Sequence, residues 1–159
     1  MSYSDLEYEI FSRQFILQNF NEENILKLNK VKIAIIGIGG IGCPLTQYLV
    51  SSGFKNLAFF DRDRIEKSNL GRQILYSLED IEKFKVVVAK NKLLQTNSEC
   101  NIFTHTEYLT KNNINLLSNF DIIIDTTDDW HTSKLINKFC VEKSIKYIFS
   151  SAINNHIQI

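Results

Sequence analysis

The sequence predicts an α/β domain: a Rossmann-like, doubly wound and mainly parallel sheet with helices on both faces and an N-terminal helical extension. Strand-like apolar runs alternate with helix-like segments along the chain, an order typical of parallel sheets. A glycine-rich turn from Gly37 to Gly42 follows the first strong apolar run, as in nucleotide-binding sheets of this class. The 159 residues show no repeat or linker, so we expect one domain, 1–159.

The first half of the chain supplies two helices and then a βαβ unit. Asn21, followed by two glutamates, is a typical helix N-cap. Val31–Ile36 is β-branched and apolar, which suits a strand covered on both faces. Gly53 stands where a helix C-cap glycine belongs. In order, this half is predicted as helix 5–18, helix 21–30, strand 31–37, helix 41–52 and strand 57–61.

The second half continues the alternation after a polar loop, residues 62–72. Its strongest strand is the run Asp121-Ile-Ile-Ile-Asp125. The alternating segment 153–159 predicts a further strand or hairpin. Such a strand is either the edge of a small domain or, as we favour, a sign that this is the N-terminal part of a larger protein. In order, this half is predicted as helix 79–96, strand 101–105, short helix 114–118, helix 131–144 and strand 147–150.

Composition and charge argue against several classes of function. The formal net charge is zero, which gives no reason to expect a nucleic-acid partner or an anionic membrane. No apolar run approaches the ~20 residues that span a bilayer, and the N-terminus lacks a signal-peptide pattern, so the cytoplasm is the expected location. Cys43, Cys100 and Cys140 form no C-x-x-C pair, and zinc is not expected.

The glycine turn predicts a nucleotide site. Gly37, Gly39 and Gly42 have the spacing G-x-G-x-x-G, with an extra glycine at Gly40. These positions allow a tight turn, close backbone approach to a phosphate and close packing of the next helix, whose N-terminus attracts anions. Asp61 closes the next strand, where such folds hold a ribose hydroxyl. On its own, this pattern also fits an NAD-dependent oxidoreductase.

Charged side chains on the following loops extend the candidate site. The loop after the second predicted strand concentrates carboxylate, amide and guanidinium groups, and Asp128 follows the buried strand 121–125. Since the carboxyl ends of parallel strands line the ligand crevice, we expect these groups to converge. Carboxylates there can bind ribose hydroxyls or Mg²⁺, and cations can neutralise phosphates. The additional candidates are Asp63, Asn69, Arg72, Gln73 and Lys85.

These motifs together resemble the MoeB/ThiF/HesA family of ubiquitin-activating-like adenylyltransferases. The resemblance spans nearly the whole chain and rests on motifs with family-like spacing. Such enzymes use ATP and Mg²⁺ to adenylate the C-terminal glycine of a ubiquitin-like sulfur carrier protein, and they form homodimers. The motifs are Ser12-Arg-Gln14, Gly37-Ile-Gly-Gly-Ile-Gly42, Asp61-x-Asp63, Ser68-Asn-Leu-Gly-Arg-Gln73, Lys85 and Thr126-Thr-Asp128.

The resemblance implies a role for each matched residue. The glycines Gly37, Gly39, Gly40 and Gly42 would form the ATP loop. Asp61, with Asp63 beside it, would bind the ribose, and Asp128 would coordinate Mg²⁺. Arg13 would reach into the partner's active site as an arginine finger. The residues expected on the phosphates are Asn69, Arg72, Gln73 and Lys85.

The chain also departs from the family pattern. Asp129 stands where the family usually has asparagine, Ser133 where arginine commonly follows, and Glu82 where glycine is frequent. Within the family, the segment 72–81 looks most like the thiamine-pathway member, with the molybdopterin member next and peptide-adenylating relatives possible. Besides the oxidoreductase, the alternative is a truncated nucleotide-binding module without full catalytic activity.

Overall fold

A computed structural model describes residues 5–18, 21–153 and 156–159 of the chain. Within these residues the main sheet consists of the strands β1 (Lys32–Ile36), β2 (Asn56–Phe60), β3 (Asn101–His105), β4 (Ile122–Asp125) and β5 (Lys146–Phe149). All its neighbouring strands pair in parallel, in the order β3-β2-β1-β4-β5. The chain winds outward from β1 in both directions, so the predicted doubly wound α/β fold is confirmed.

Helices cover this sheet and precede it. Among the described residues they are α1 (Asp5–Ile10), α2 (Ser12–Phe15), α3 (Glu22–Leu28), α4 (Gly42–Ser51), α5 (Lys85–Thr96) and α6 (Trp130–Lys143), with 3₁₀ turns at Lys67–Asn69, Leu78–Asp80 and Ile114–Asn119. The predicted caps are confirmed. The Asn21 side chain accepts a hydrogen bond from the Asn24 N–H at 2.9 Å, and Gly53 follows α4 with a φ of +96°.

Two apolar layers sandwich the sheet because alternate residues of a strand point to opposite faces. On one face, Ile33 and Ile35 of β1 pack with buried residues of α4 and α5. On the other face, Ala34 and Ile36 pack with α6 and the 114–119 turn. None of the helices in the described part of the chain is long and apolar enough to cross a membrane.

Strand register brings several loops to one edge of the sheet. Ile36 at the end of β1 lies opposite Phe60 of β2 and Asp125 of β4. Ladder-like hydrogen bonds continue past these ends: the Gly37 N–H donates to the Phe60 carbonyl at 2.8 Å, and the Thr126 N–H donates to the Ile36 carbonyl at 2.9 Å. The loops that follow β1, β2 and β4 therefore start side by side.

The predicted helix 79–96 is wrong in its first part. Leu78–Asp80 is an isolated 3₁₀ turn, and the α-helix starts only at Lys85. Between them Glu82 has a left-handed φ of +68°, which an α-helix does not allow. The Glu82 N–H donates to the carbonyl of Ile65 at 2.9 Å, so pairing with a preceding loop breaks the helix.

The predicted helix 5–18 is also wrong as a single helix, because it is interrupted at Phe11. Phe11 is buried, and a Cβ built on Gly53 would lie 3.2 Å from its ring, so the break fits this ring against the turn after α4. Lys55 further ties α1 to the sheet, with its ammonium 2.8 Å from a Glu7 carboxylate oxygen. The bounds of the other predicted helices and strands agree with the structure to within two residues.

The predicted strand or hairpin over 153–159 is confirmed in outline. The strands β6 (Ser151–Ile153) and β7 (His156–Gln158) pair antiparallel as a two-stranded sheet. Residues 154 and 155 of the predicted segment lie outside the described residues.

Replacing Glu82 by glycine should stabilise the protein. Its φ of +68° is strained for a residue with a Cβ, whereas glycine adopts it freely. We expect Glu82→Gly to raise the free energy of unfolding by about 1 kcal/mol in urea denaturation, the strain relief exceeding the entropy cost. Glu82→Ala removes the same exposed carboxylate but keeps the Cβ, so a gain equal to that of glycine would contradict this account.

Candidate functional site

A cleft of about 680 Å³ opens at the carboxyl edge of the sheet. Its walls are the loops after β1, β2, β3 and β4, which parallel pairing places side by side, together with Lys85 of α5 and with Ser151 and Ala152 of β6. The cleft therefore brings together most of the residues that the sequence singled out. Those that line it are Gly37, Gly39, Gly40, Asp61, Asp63, Asn69, Arg72, Gln73, Lys85 and Asp128.

The glycine turn owes its shape to two positions that tolerate no Cβ. A Cβ on Gly42 would lie 2.2 Å from the Gly37 carbonyl oxygen, so α4 can pack this close to β1 only with glycine there. Gly37 has a φ of +90°, and its carbonyl also accepts a hydrogen bond from the Thr126 hydroxyl at 2.6 Å. Gly42 is buried and absent from the cleft lining, so the structure shows its packing role, and its part in an ATP loop stays a prediction.

Gly39 and Gly40 differ, because the nearest atoms within 4 Å of a Cβ at either belong to side chains of the described residues. The nearest atoms are side-chain atoms of Gln73 and Arg72, at 3.8 and 3.9 Å respectively. Both glycines line the cleft just before α4. At the start of this helix the Cys43 N–H already donates to the Gly39 carbonyl at 3.0 Å and Pro44 has no N–H, so the helix dipole is its main attraction for an anion. A side chain here would enter the cleft, whereas glycine leaves a cradle for an anionic ligand.

Asp61 connects the glycine turn to the loop after β2. One carboxylate oxygen accepts the Ile38 N–H and the other the Asp63 N–H, both at 2.8 Å. Burial raises the pKa of the Asp61 carboxyl, although the Ile38 N–H and the charge of Lys85 oppose this. Folding therefore favours the protonated carboxyl of Asp61. The resulting stabilisation of the fold is fully present below the usual pKa of an aspartate and is lost as the pH rises through the higher pKa of the folded state.

Lys85 places a sheltered positive charge in the cleft. Its side chain is 7% exposed, and its ammonium lies 2.9 Å from a carboxylate oxygen of Asp63, whose own side chain is 54% exposed. The Lys85 N–H also donates to the Asp63 carbonyl at 3.0 Å, which fixes the start of α5 against the loop after β2. A lysine sheltered from water interacts more strongly with a bound anion than an exposed one.

Asn69, Arg72 and Gln73 differ in what they leave available to a ligand. The Asn69 side-chain oxygen accepts the Glu66 N–H at 3.0 Å, so this residue orders the loop. Arg72 is exposed, and one guanidinium N–H donates to the Ser68 carbonyl at 2.9 Å. Gln73 is buried, yet its side-chain oxygen has no hydrogen-bond partner within the described residues. Such an atom at a cleft is a candidate ligand contact.

The loop after β4 is held by a buried carboxylate. Asp125 accepts hydrogen bonds from the Thr127 N–H and from the Tyr147 hydroxyl, at 3.0 and 2.8 Å. Asp129 caps α6, since its oxygens accept from the His131 N–H and the Thr132 hydroxyl. Asp128 between them is exposed and lines the cleft. Both neighbouring acids line the cleft, and Asp128 is the more available to a ligand because the Asp129 oxygens are engaged at the cap of α6.

Arg13, like Gly42, is a predicted site residue that does not line the cleft. It lies exposed on α2 and is absent from the cleft lining.

Cys43, at the start of α4, is a packing residue: it is fully buried, and burial raises the pKa of its thiol. No cluster of three or more His, Cys, Asp or Glu side chains suited to a metal occurs in the described part of the chain.

Sequence reasoning missed the residues that close the cleft beside β3. Arg62, Tyr108 and Leu109 line the cleft together with the predicted set. Arg62 was part of the charged loop but had no partner in the sequence pattern. The sequence did contain a signal for them: Tyr108 and Leu109 come just after strand 101–105 and therefore lie at the same edge of the sheet as Asp61.

Comparison with known proteins identifies the family. The family model described as the ThiF family matches residues 11–159. The chain belongs to the ThiF family. This agrees with the predicted resemblance, since the match covers both the glycine turn and the charged loops.

Curated relatives in this family are longer proteins. One, from Gracilaria tenuistipitata var. liui and named a probable molybdopterin-synthase adenylyltransferase, is 33% identical over 99% of this chain and 45% of its own length. Another, the adenylyltransferase and sulfurtransferase MOCS3 of Drosophila persimilis, is 38% identical over 90% of this chain and 32% of its own length. The chain thus spans less than half the length of either relative.

Solved structures share the fold. E. coli MccB, crystallised with MccA-N7isoASN, superposes with a TM-score of 0.86 at 28% identity, covering 98% of this chain and 46% of that one. The E. coli tRNA N6-threonylcarbamoyladenosine dehydratase, in complex with AMP, has a TM-score of 0.90 at 21% identity, covering 99% and 64%. At that lower identity, the second likeness concerns the fold alone.

Alanine substitutions at two glycines of the turn should show which glycine the packing of α4 requires and which one only borders the space for a ligand. Gly42→Ala should lower the free energy of unfolding by about 2 kcal/mol, because its Cβ would overlap the Gly37 carbonyl. Gly39→Ala is the matched control. Its Cβ meets nothing closer than 3.8 Å and its φ is not left-handed, so stability should stay within about 0.5 kcal/mol. Equal losses in urea denaturation would refute the packing role of Gly42.

Proposed function

We propose that this chain is an ATP-binding adenylation domain that activates the C-terminal glycine carboxylate of a ubiquitin-like sulfur carrier protein. The observation that carries the proposal is the cleft of a ThiF-family chain, in which the glycine cradle, the Asp63–Lys85 pair and Asp128 meet. A dinucleotide site of an NAD-dependent oxidoreductase needs the glycines and Asp61 but not a sheltered lysine or a carboxylate after β4.

The proposed reaction is the attack of the carrier's carboxylate on the α-phosphate of ATP. A bond forms between a carboxylate oxygen and the α-phosphorus, the bond to the β-phosphate bridge breaks, and pyrophosphate leaves. Both reactants are anions, so positive groups must offset their repulsion. Lys85 and Arg72 are the cations of the cleft suited to this task. The substrate carboxylate is itself the nucleophile, so no protein nucleophile is required.

The cleft residues fit ATP in detail. Gly39 and Gly40 leave the space that a Cβ would fill, and α4 directs its N-terminus toward that space, which suits phosphates. Gln73 is proposed to contact the phosphates, because its side-chain nitrogen lies 3.8 Å from the place of a Cβ on Gly39 and an amide N–H can donate to a phosphate oxygen. Asp61 is proposed as the ribose ligand, and Asn69 orders the loop that carries Arg72, because its side-chain oxygen accepts the Glu66 N–H.

Magnesium is proposed to bind at Asp128. Mg²⁺ bound with a nucleotide commonly uses one or two protein carboxylates together with phosphate oxygens and water, so a single free carboxylate fits this mode. The ion would supply charge that stabilises the transferring phosphate. Asp129 contributes less, since its oxygens already cap α6.

The carrier protein and the assembly are further parts of the proposal. The segment 72–81 favours a thiamine-pathway carrier, whereas the names of the two curated relatives favour a molybdopterin-synthase carrier as the second candidate. The peptide-adenylating mode is the third, supported by the MccB likeness. Arg13 lies outside the cleft of its own chain, as a residue acting in the partner's site of a homodimer would.

A nucleotide-binding module without full catalytic activity is the second candidate function. Ser133 favours it: the residue is buried beside Thr127 under the loop after β4, where the family commonly has arginine, so this chain lacks one cation there. Both candidates bind ATP, and they differ in whether pyrophosphate is released in the presence of a carrier.

ATP binding should distinguish the proposal from an oxidoreductase. Calorimetric titration of the chain is expected to show ATP binding in the presence of Mg²⁺ and no binding of NADH, because Lys85 and Arg72 match a triphosphate. Binding of NADH without ATP would refute it. Carrier-dependent pyrophosphate release would then separate the adenylating enzyme from the non-catalytic module.

Asp128→Asn should remove the dependence of ATP binding on magnesium. The exposed Asp128 carboxylate is the proposed protein ligand, and an amide is a much weaker one for Mg²⁺. We expect about tenfold weaker binding of ATP with Mg²⁺ and little change without it. Asp129→Asn is the matched control, since asparagine also caps helices well. If Asp129→Asn alone abolished the Mg²⁺ effect, the metal assignment would move to that residue.

A further inference from the structure

Arg62 and Tyr108 form a stacked cation–aromatic pair at the rim of the cleft. The guanidinium carbon lies 3.3 Å from the centroid of the Tyr108 ring, a van der Waals stacking distance. Both residues line the cleft, and both stay accessible: the Arg62 side chain is 50% exposed and Tyr108 is 47% exposed. Two planar groups are thus offered to the cleft, and the proposed adenylation chemistry uses neither.

The order of the strands fixes where this pair lies relative to the rest of the site. Along the carboxyl edge, Tyr108 follows β3, Asp61 and Arg62 follow β2, the glycine turn follows β1 and Asp128 follows β4. Neighbouring strands lie ~4.8 Å apart, so these loops form a row. If the phosphates bind at β1 and the ribose at β2, the base on the far side of the ribose lies toward β3.

The chemistry of the cleft changes along this row. The glycines and Arg72 occupy the part near β1, whereas the part near β3 has a buried apolar floor of Phe60 and Leu109, at 3% and 7% exposure, with Glu107 beside it. Arg62 also lies near the charged part, with its Nε 3.8 Å from an oxygen of Asp63. An apolar floor with planar groups above it suits a flat, weakly polar ring system.

We infer that Arg62 and Tyr108 form a stacking platform for the purine base of the nucleotide, at the β3 end of the cleft. This inference rests on the proposed function, because it concerns the base of the ATP that the cleft is proposed to bind. The pair contributes to affinity through planar contact, for which every base has a face. The guanidinium is suited to this because it is planar and weakly hydrated, unlike an ammonium group.

The test compares variants that keep or remove the planar ring. Calorimetric titration of the whole chain with ATP and Mg²⁺ should show about tenfold weaker binding for Tyr108→Ala, as expected when the stack on which the base lies loses its aromatic ring. Tyr108→Phe keeps the ring and should bind as the unmodified protein does. Arg62→Lys keeps the charge without the planar face and should also weaken ATP binding.

Two controls separate the base from the phosphates and from folding. Inorganic tripolyphosphate competing with ATP should bind the unmodified protein and Tyr108→Ala equally, since it has no base. Trp130→Ala is the matched control for losing an exposed aromatic under a cation: Trp130 is 61% exposed, lies 5.0 Å from the Lys134 ammonium and is absent from the cleft lining. This variant should bind ATP normally.

The outcomes distinguish failure of the inference from failure of the proposed function. If the unmodified protein does not bind ATP, the proposed function falls and the platform with it. If it binds ATP and Tyr108→Ala binds equally well, the platform alone is refuted. Equal losses for Tyr108→Ala and Tyr108→Phe, or an equal loss of tripolyphosphate binding, would also refute it.

Discussion

The close approach of helix α4 to the end of strand β1 is the constraint on which the rest of the cleft depends. The helix starts so near the Gly37 carbonyl that a methyl group on Gly42 would overlap it. This approach directs the helix N-terminus toward Gly39 and Gly40, and it holds the turn beside the loop after β4 through the Thr126 hydroxyl. A looser packing would move the helix dipole and its N–H groups away from the cradle.

The glycine turn by itself suits a phosphate group of many possible ligands. The charged residues on the neighbouring loops are what favour a particular class of nucleotide. Asp61 uses both carboxylate oxygens to tie the turn to the next loop, while Asp63 and Lys85 tie that loop to α5. Each connection is therefore structural in this chain, and the proposed ligand would use the same groups. Such double use explains why so many charged residues occur in one short segment without destabilising it: they pair with one another and with backbone groups.

Much of this architecture was predictable from the sequence because the rules involved are local or topological. Glycine spacing predicts the turn, and parallel strands bring Asp61 and Asp128 to one edge. Lys85 does not end a strand, and it reaches this edge because its N–H donates to the Asp63 carbonyl. The break at Glu82 was not predictable in this way, since residues 79–96 favour helix locally and the break depends on pairing with Ile65. The Arg62–Tyr108 contact joins two loops far apart in the chain, so only the folded structure shows it.

The sheet order also has a consequence for how the molecule folds. β1 pairs on one side with β2, which follows it closely, and on the other with β4, much later in the chain; Ile33 lies opposite both Leu57 and Ile122. Contacts between distant segments form slowly, because a long loop must close first. The Thr126 hydroxyl that completes the glycine turn arrives only with β4. We therefore expect the anion cradle to be assembled late, so a bound ligand would stabilise the complete sheet rather than its early β1–β2 nucleus.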